Sequence, residues 1–193
     1  MMCDAVIVGM AVGEGCMTIA VMLALPDRTV AGKIGKFKVS VSKTDEVPAL
    51  FREPARAERI ALLASSYHRL IGKPLIPQCD DIVAGLWNAR FALLAHGTEP
   101  DPVFFFGNAC AIAVFESDVA SFTAMPSRLS AEAPLREERQ ALLDRVKTQG
   151  FIDDYAGVRI TATGKRFRIG PAVVWNLIDA QGCVQGQAAT FVP

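Results

Sequence analysis

"GVRITATGKRFRIGPAVVWNLIDAQGCVQGQAATF", residues 157–191, is the most clearly patterned part of the chain, because its side chains alternate as they do in β-strands and short turns separate the alternating segments. At its start, Val158 and Ile160 point to one side of the chain, while Tyr155 and Arg159 point to the other. This period of two residues is typical of a β-strand with one buried face. The stretch therefore begins within a predicted strand.

Two short turns divide this part of the chain into three strands. Thr163 and Gly164 form the first turn, and residues 179–182 form the second. The predicted strands are 155–163, 165–178 and 183–191. Short loops between consecutive strands force antiparallel neighbours, so the end of the chain is predicted to be a three-stranded meander.

Two more strands and a capped helix are predicted upstream. Residues 91–95 and 103–106 are short apolar runs joined by the turn HGTEPDP, residues 96–102. This turn chemistry predicts a hairpin. Asn108 follows the second run, and its side-chain oxygen can cap a helix over residues 109–116.

Helical periodicity is clearest in residues 55–70, where Ile60, Leu63, Tyr67 and Leu70 form one apolar stripe. Further helices are predicted at residues 82–87 and 134–150. The order of elements predicts an α+β fold: a five-stranded antiparallel sheet with helices on one face, preceded by an N-terminal helix.

Composition excludes several classes of partner. The 193 residues include 20 Lys and Arg and 20 Asp and Glu, so the net charge is zero and no nucleic acid contact or membrane association is expected. The five cysteines show no paired spacing typical of a zinc site. A reducing, cytoplasmic location fits them best, and most are expected to be buried, inert thiols.

The chain divides into three predicted parts. Residues 1–45 form an extension, which is either unusual or the result of a start site placed too early. Within it, Glu14 interrupts an apolar run that has no basic start, which argues against a signal peptide or a spanning helix. Residues 46–90 are a linker with N-terminal helices, and residues 91–193 are the sheet domain.

Several long blocks resemble one known family. They are SSYHRLIGKPL, LAHGTEPDPVFFFGNACAIAVFE, MPSRLSAE, LREERQALLDRVKTQGFIDDYAGVRITATGKRFRI and VVWNLIDAQGCVQGQAATF. In order and over about residues 58–192, they resemble the MEKHLA domain, which is itself similar to PAS domains. That family occurs as stand-alone bacterial proteins, the type expected here, and at the C-terminus of plant homeodomain-leucine zipper regulators. The resemblance implies a non-catalytic sensory or regulatory module that binds a small ligand, a protein partner or both.

The resemblance does not identify a cofactor. Flavin photosensors of the PAS type use a Cys on a later helix, whereas Cys110 lies on the helix directly after the second strand. Haem-binding PAS domains often use a His on the helix before the third strand, and residues 134–150 contain none. The cofactor therefore stays unknown, and no metal is expected.

Apolar walls with a few polar anchors are what a small-molecule pocket needs. The predicted ligand-binding residues are His96, Phe105, Phe115, Tyr155, Val173, Trp175 and Asn176. They predict an uncharged or weakly polar organic ligand rather than a phosphate or a metal. For Trp175 the competing interpretation is a core aromatic, and for His96 it is a hydrogen bond that stabilises the turn.

Three further hypotheses concern partners, charge and catalysis. The stripe around Leu63 and Tyr67 could cover the sheet or pair two subunits, and homodimerisation through it is the prediction; a regulatory protein partner is the alternative. Arg159 belongs to a cluster of arginines around one turn, for which solvated side chains are the favoured interpretation and a site for an anion or a partner's acidic patch is the alternative. Arg128 is interpreted, with Arg136 and Arg139, as part of an ion-pair network that fixes the helical connector to the sheet, and direct ligand recognition is the alternative. The alternative function is a small α+β enzyme acting on an uncharged substrate, which would need an acid and a base facing the cavity.

Overall fold

The structure, a computed structural model, describes residues 46–131, 145–146 and 148–193. The predicted extension of residues 1–45 lies outside the described residues. So does most of the predicted helix 134–150, of which the described Arg145 and Val146 are helical. The packing of that helix against the sheet therefore stays a prediction.

An antiparallel sheet organises the described chain. Its strands are β1 (Ala92–His96), β2 (Phe104–Gly107), β3 (Phe151–Ile160), β4 (Arg166–Ile178) and β5 (Val184–Phe191). The five strands lie in the order β2-β1-β5-β4-β3, and each neighbouring pair is antiparallel. This confirms the predicted five-stranded antiparallel sheet of an α+β fold, including the hairpin between β1 and β2 and the meander at the end of the chain.

The helices are short, with one exception. They are α1 (Ala49–Arg52), α2 (Pro54–Ile71), α3 (Ile82–Trp87), α4 (Ala109–Val114), α5 (Val119–Thr123) and the 3₁₀ helix η1 (Ser127–Ser130). The sequence pattern predicted α2, α3 and α4 but not α1, α5 or η1. Helix α2 ends at Ile71, and Gly72 caps it with a φ of 80°, in the left-handed region that suits glycine.

Helix α2 covers one side of the sheet, which we call the α2 face. Ile60 and Leu63 are fully buried there, and the ring of Tyr67 lies 5.0 Å from that of Trp175, edge to face. The prediction that this stripe forms a homodimer is therefore corrected, because the sheet of the same chain already buries these side chains. Of the two interpretations of the stripe, a cover for the sheet is the one that the packing supports.

Polar contacts fix α2 at the end of β4. The buried hydroxyl of Ser66 accepts a hydrogen bond from Ile178 N at 2.8 Å and lies 3.2 Å from Ile178 O. Arg69 Nη2 donates to the same carbonyl oxygen at 2.7 Å. These contacts satisfy backbone groups of β4 near the end of the strand, where sheet pairing becomes irregular.

The opposite side of the sheet, which we call the α4 face, packs against α4 and α5. Aromatic rings form its core: Phe104 stacks on Phe122 at 4.7 Å, and Phe115 lies 5.5 Å from Phe122 and 5.2 Å from Phe167. Gly107 permits this close approach, since a Cβ there would lie 2.6 Å from a carbon of the Phe122 ring.

Asn108 joins the elements of both faces. It is fully buried, and its Oδ1 accepts hydrogen bonds from Ala111 N at 2.9 Å and Leu93 N at 3.0 Å. Its Nδ2 donates to three carbonyl oxygens, those of Leu86, Ala89 and Phe91. The predicted helix cap is confirmed, and the same side chain also holds the loop between α3 and β1.

The cysteines differ from the prediction of mostly buried thiols. Of those in the described ranges, Cys110 is buried, but Cys79 and Cys183 are exposed. Burial raises the pKa of the Cys110 thiol, as expected for a thiol in apolar surroundings. None of the helices described here is long and apolar enough to cross a membrane.

Candidate ligand cavity

A cavity of about 150 Å³ opens on the α4 face, between the sheet and η1. Its apolar floor comes from three neighbouring strands: Leu94 of β1 pairs with Ala189 of β5, which pairs with Val174 of β4. Phe104 of β2 also lines it. Because Val174 and Ala189 are small, the middle of this face is left with space that larger side chains would fill.

Helix η1 forms the opposite wall, and Ser127, Ser130 and Ala131 contribute to the lining. Ser127 N donates to Pro102 O at 2.7 Å, which ties η1 to the loop between β1 and β2. At its other end, Ala131 forms an isolated antiparallel bridge with Arg159 of β3. The wall is therefore attached to both edges of the sheet.

Arg128 reinforces the first of these attachments. Its Nε donates to both carboxylate oxygens of Asp101, at 3.0 and 3.1 Å. Both side chains are about half exposed, so the pair contributes little stability, roughly 0 to 1 kcal/mol. The predicted role of Arg128 in an ion pair fits this contact. The other arginines of the predicted network lie outside the described residues.

Tyr155, Gly157 and Arg159 line up along the cavity side of β3. The Tyr155 ring extends over Gly157, where a Cβ would lie only 2.6 Å from the Tyr155 hydroxyl. The Arg159 guanidinium lies over the same ring, 5.1 Å from its centre. Glycine at position 157 thus lets the ring lie along the strand toward Arg159, and the ring and the guanidinium both line the cavity.

His96 and Gln187 complete the polar lining. They are directly opposite each other on β1 and β5. His96 Nδ1 donates to Gly97 O at 2.8 Å, since a carbonyl oxygen only accepts. Gln187 Nε2 donates to Asn176 Oδ1 at 3.2 Å. The predicted turn hydrogen bond and the predicted pocket lining are therefore both present at His96.

Of the predicted ligand-binding residues, His96 and Tyr155 line the cavity, and contact between either of them and a ligand stays a prediction. Three others belong to the α2 face, on the far side of the sheet: Phe105, Val173 and Trp175. Arg59 lies over the Phe105 ring at 4.1 Å, and Trp175 is fully buried. The interpretation of Trp175 as a core aromatic therefore fits the structure better than that of a pocket wall.

Phe115 and Asn176 do not line the cavity either. Phe115 is buried in the aromatic core beside α5. Asn176 Nδ2 donates to Val146 O at 3.2 Å, so this side chain holds the segment that enters β3. The seven predicted residues thus do not share one cavity.

The alternation of β3 could have revealed one cavity residue that the prediction left out. Arg159 is four residues from Tyr155 in a strand, so the two must share a face. The place of Arg159 in a charge run on an outer strand face favoured a solvated arginine over an anion site. Ser127 and Ser130 of η1 also line the cavity, but no comparable pattern in the sequence indicates them, since one turn of 3₁₀ helix has no periodic pattern.

The lining carries positive rather than negative charge. Its charged members within the described part of the chain are Arg128 and Arg159, with no Asp or Glu beside them. Nor does any group of three or more His, Cys, Asp or Glu side chains gather among the described residues. This arrangement differs from the mainly uncharged walls that the sequence predicted.

Comparison with known proteins identifies a family. The model of the MEKHLA domain matches residues 57–193. Similar curated proteins include homeobox-leucine zipper protein HOX10 of Oryza sativa, 23% identical over 143 residues, and homeobox-leucine zipper protein REVOLUTA of Arabidopsis thaliana, 21% identical over 163 residues. These alignments cover 72% and 79% of this chain but only 17% and 19% of the relatives. The chain thus spans about a fifth of their length.

Solved structures with some similarity of fold include an RNA-binding light-oxygen-voltage receptor. Its TM-score is 0.48 at 16% identity, over 55% of this chain and 30% of that one. The PAS domain of a protein from Colwellia psychrerythraea has a TM-score of 0.46 at 10% identity, over 55% of this chain and 87% of that one.

Proposed function

Because this chain belongs to the MEKHLA domain family, we propose that it is a non-catalytic PAS-like sensory or regulatory domain that binds a small ligand in the cavity described above. The observation that carries the proposal is the cavity itself. It combines an apolar floor with His96, Tyr155 and Gln187 as polar anchors, which is the usual composition of a small-molecule site.

The attachments of η1 suggest how occupancy is passed on. A ligand that contacts Ser127 or Ser130 would favour one position of η1, which is tied to the β1–β2 loop and to β3. A partner protein that binds one of these elements would then respond to the ligand. Under this proposal η1 exchanges between two positions, and the ligand shifts that equilibrium only by the difference between its affinities for them.

Filling the cavity tests the proposal. Ala189→Phe places a ring in the space above the floor, whereas Val184→Phe adds the same ring at an exposed position of the same strand. We expect native mass spectrometry of the purified full chain to detect a bound small molecule in the wild type and in Val184→Phe, and to detect much less in Ala189→Phe. Circular dichroism checks that both variants are folded. Absence of any bound molecule from all three proteins, with equal melting temperatures, would contradict the proposal.

Several finer predictions belong with this proposal. The curated relatives described above are plant proteins, so the stand-alone bacterial type stays a prediction. The cytoplasmic location also stays a prediction. The enzyme alternative needs an acid and a base within hydrogen-bond reach, and His96 and Tyr155 are the described lining residues from which it would have to be built. Turnover of a ligand identified by mass spectrometry would favour that alternative.

A further inference from the structure

We infer that the ligand of this cavity is a small organic acid, held by its carboxylate on Arg159 and by its apolar body on the floor of Leu94, Val174 and Ala189. This inference rests on the proposed function, because it names the chemical class of the ligand that the cavity takes. It replaces the uncharged ligand that the sequence predicted.

Arg159 is placed to receive an anion. Its side chain is half-buried at the cavity, and its described contact is with the face of the Tyr155 ring at 5.1 Å. Within the described ranges no carboxylate forms an ion pair with it. A guanidinium stacked on a ring keeps the N–H groups at its edge available. Two of these N–H groups can donate parallel hydrogen bonds to the two oxygens of a carboxylate.

The second arginine of the lining does not offer the same site. Arg128 already donates to both oxygens of Asp101, so its charge is matched within the chain. The described lining is thus left with one positive charge that no acidic side chain of the lining compensates. A ligand of one negative charge would balance it.

The rest of the cavity selects an organic body rather than an inorganic anion. A phosphate or sulfate would leave the apolar floor uncovered, whereas a hydrocarbon group bonded to the carboxylate would cover it. A space of about 150 Å³ suits a body of roughly the size of benzene. Larger cofactors such as flavin or haem exceed it.

Matched probes test the inference on the full chain. Benzoate and benzamide have nearly the same shape and differ in charge, and inorganic phosphate has charge without an apolar body. We expect isothermal titration calorimetry at neutral pH to show binding of benzoate, much weaker binding of benzamide and none of phosphate. Arg159→Gln should weaken benzoate binding about 10- to 100-fold and leave benzamide binding nearly unchanged. Arg159→Lys should restore part of the loss, since it keeps the charge but not the planar edge.

Arg168→Gln is the matched control, because Arg168 lies exposed on β4 and does not line the cavity. Equal binding of benzoate and benzamide, both blocked by Ala189→Phe, would overturn the inference while leaving the proposed function in place. The inference is also overturned if benzoate fails to bind a protein that carries another molecule in this cavity, or if Arg159→Gln and Arg168→Gln weaken benzoate equally. If none of the probes binds and no molecule co-purifies with the protein, the proposed function is contradicted as well.

Discussion

The two faces of the sheet are built from the same strands but filled differently. On the α2 face, the large ring of Trp175 lies opposite Ala188, so a large and a small side chain complement each other. On the α4 face, the adjacent residues Val174 and Ala189 pair with each other and leave space above them. One face is a packed core, and the other contains a cavity.

This difference shows that a shift of one residue along a strand separates a structural position from a candidate binding position. Side chains alternate between the faces of a sheet, so Trp175 and Val174 have neighbouring backbones but different surroundings. Polar side chains are divided between the two faces by the same alternation. Arg159 and Tyr155 line the cavity, while Ala156 and Val158, which alternate with them on β3, are on the other face.

Truncation of these two neighbours should give the largest difference between the faces. We expect Trp175→Ala to lower the free energy of unfolding by about 3 to 5 kcal/mol, because it leaves a cavity in a filled core. Val174→Ala should lower it by only about 1 kcal/mol, because Val174 already faces space. Urea denaturation followed by circular dichroism measures both values. Equal losses would mean that the α4 face is as tightly packed as the α2 face.

Trp175→Phe separates the contribution of the indole N–H from that of ring packing. The Trp175 Nε1 is buried without a hydrogen-bond partner in the described structure, and such an unpaired donor costs about 1 to 3 kcal/mol. Phenylalanine removes the donor and keeps most of the ring contact with Tyr67. We therefore expect Trp175→Phe to be much less destabilising than Trp175→Ala. A loss as large as that of the alanine variant would show that the indole N–H is paired in solution.

Loss of the hydrogen bonds of Asn108, which join elements of the two faces, should lower the free energy of unfolding nearly as much as Trp175→Ala does. Asn108→Ala removes the cap of α4 and leaves buried carbonyl groups of the α3–β1 loop without a donor. We expect a loss of about 2 to 4 kcal/mol in the free energy of unfolding. Asn88→Ala is the control, because Asn88 is exposed and its amide donates to one helical carbonyl, that of Ala84. Similar small losses for both variants would contradict the role of Asn108 as a link.

Much of the fold could be predicted because its signals are local. The alternation of β3 and the turn at Gly164 identify the meander, and Asn108 at the start of α4 is a local cap. The stripe of Ile60, Leu63 and Tyr67 identifies α2 by its period alone. These features depend on residues that are close in the sequence.

The cavity could not be predicted in the same way, because it depends on which face each strand presents. Val173 and Trp175 were assigned to the ligand because they are apolar, yet the register of β4 against β5 turns them toward α2. An apolar residue looks the same in the sequence on either face. Only the pairing of distant strands decides which of two alternating sets encloses space.

The smallest expected effect concerns a surface contact that holds α4 against the β3–β4 turn. Glu116 follows α4, and its carboxylate accepts hydrogen bonds from Lys165 Nζ and from Thr163 Oγ1. These contacts, with Lys165 first, lower the pKa of Glu116 from 4.5 to about 2. Because the pKa is lower in the folded state, the carboxylate stabilises the fold above about pH 4.5, and this stabilisation is lost as the pH falls toward 2.

Glu116→Gln should therefore lower the urea midpoint at neutral pH by a small amount, and the difference from wild type should disappear as the pH approaches 2. Glutamine keeps the shape of the side chain and the positive φ of 51° at this position, so the comparison isolates the charge. In a Lys165→Gln background the same substitution should matter less, since the first cause of the lowered pKa is gone. A difference that stays constant over this pH range would show that the polar contact does not hold α4 to the turn, and that packing between Phe115 and Phe167 fastens this edge of the α4 face instead.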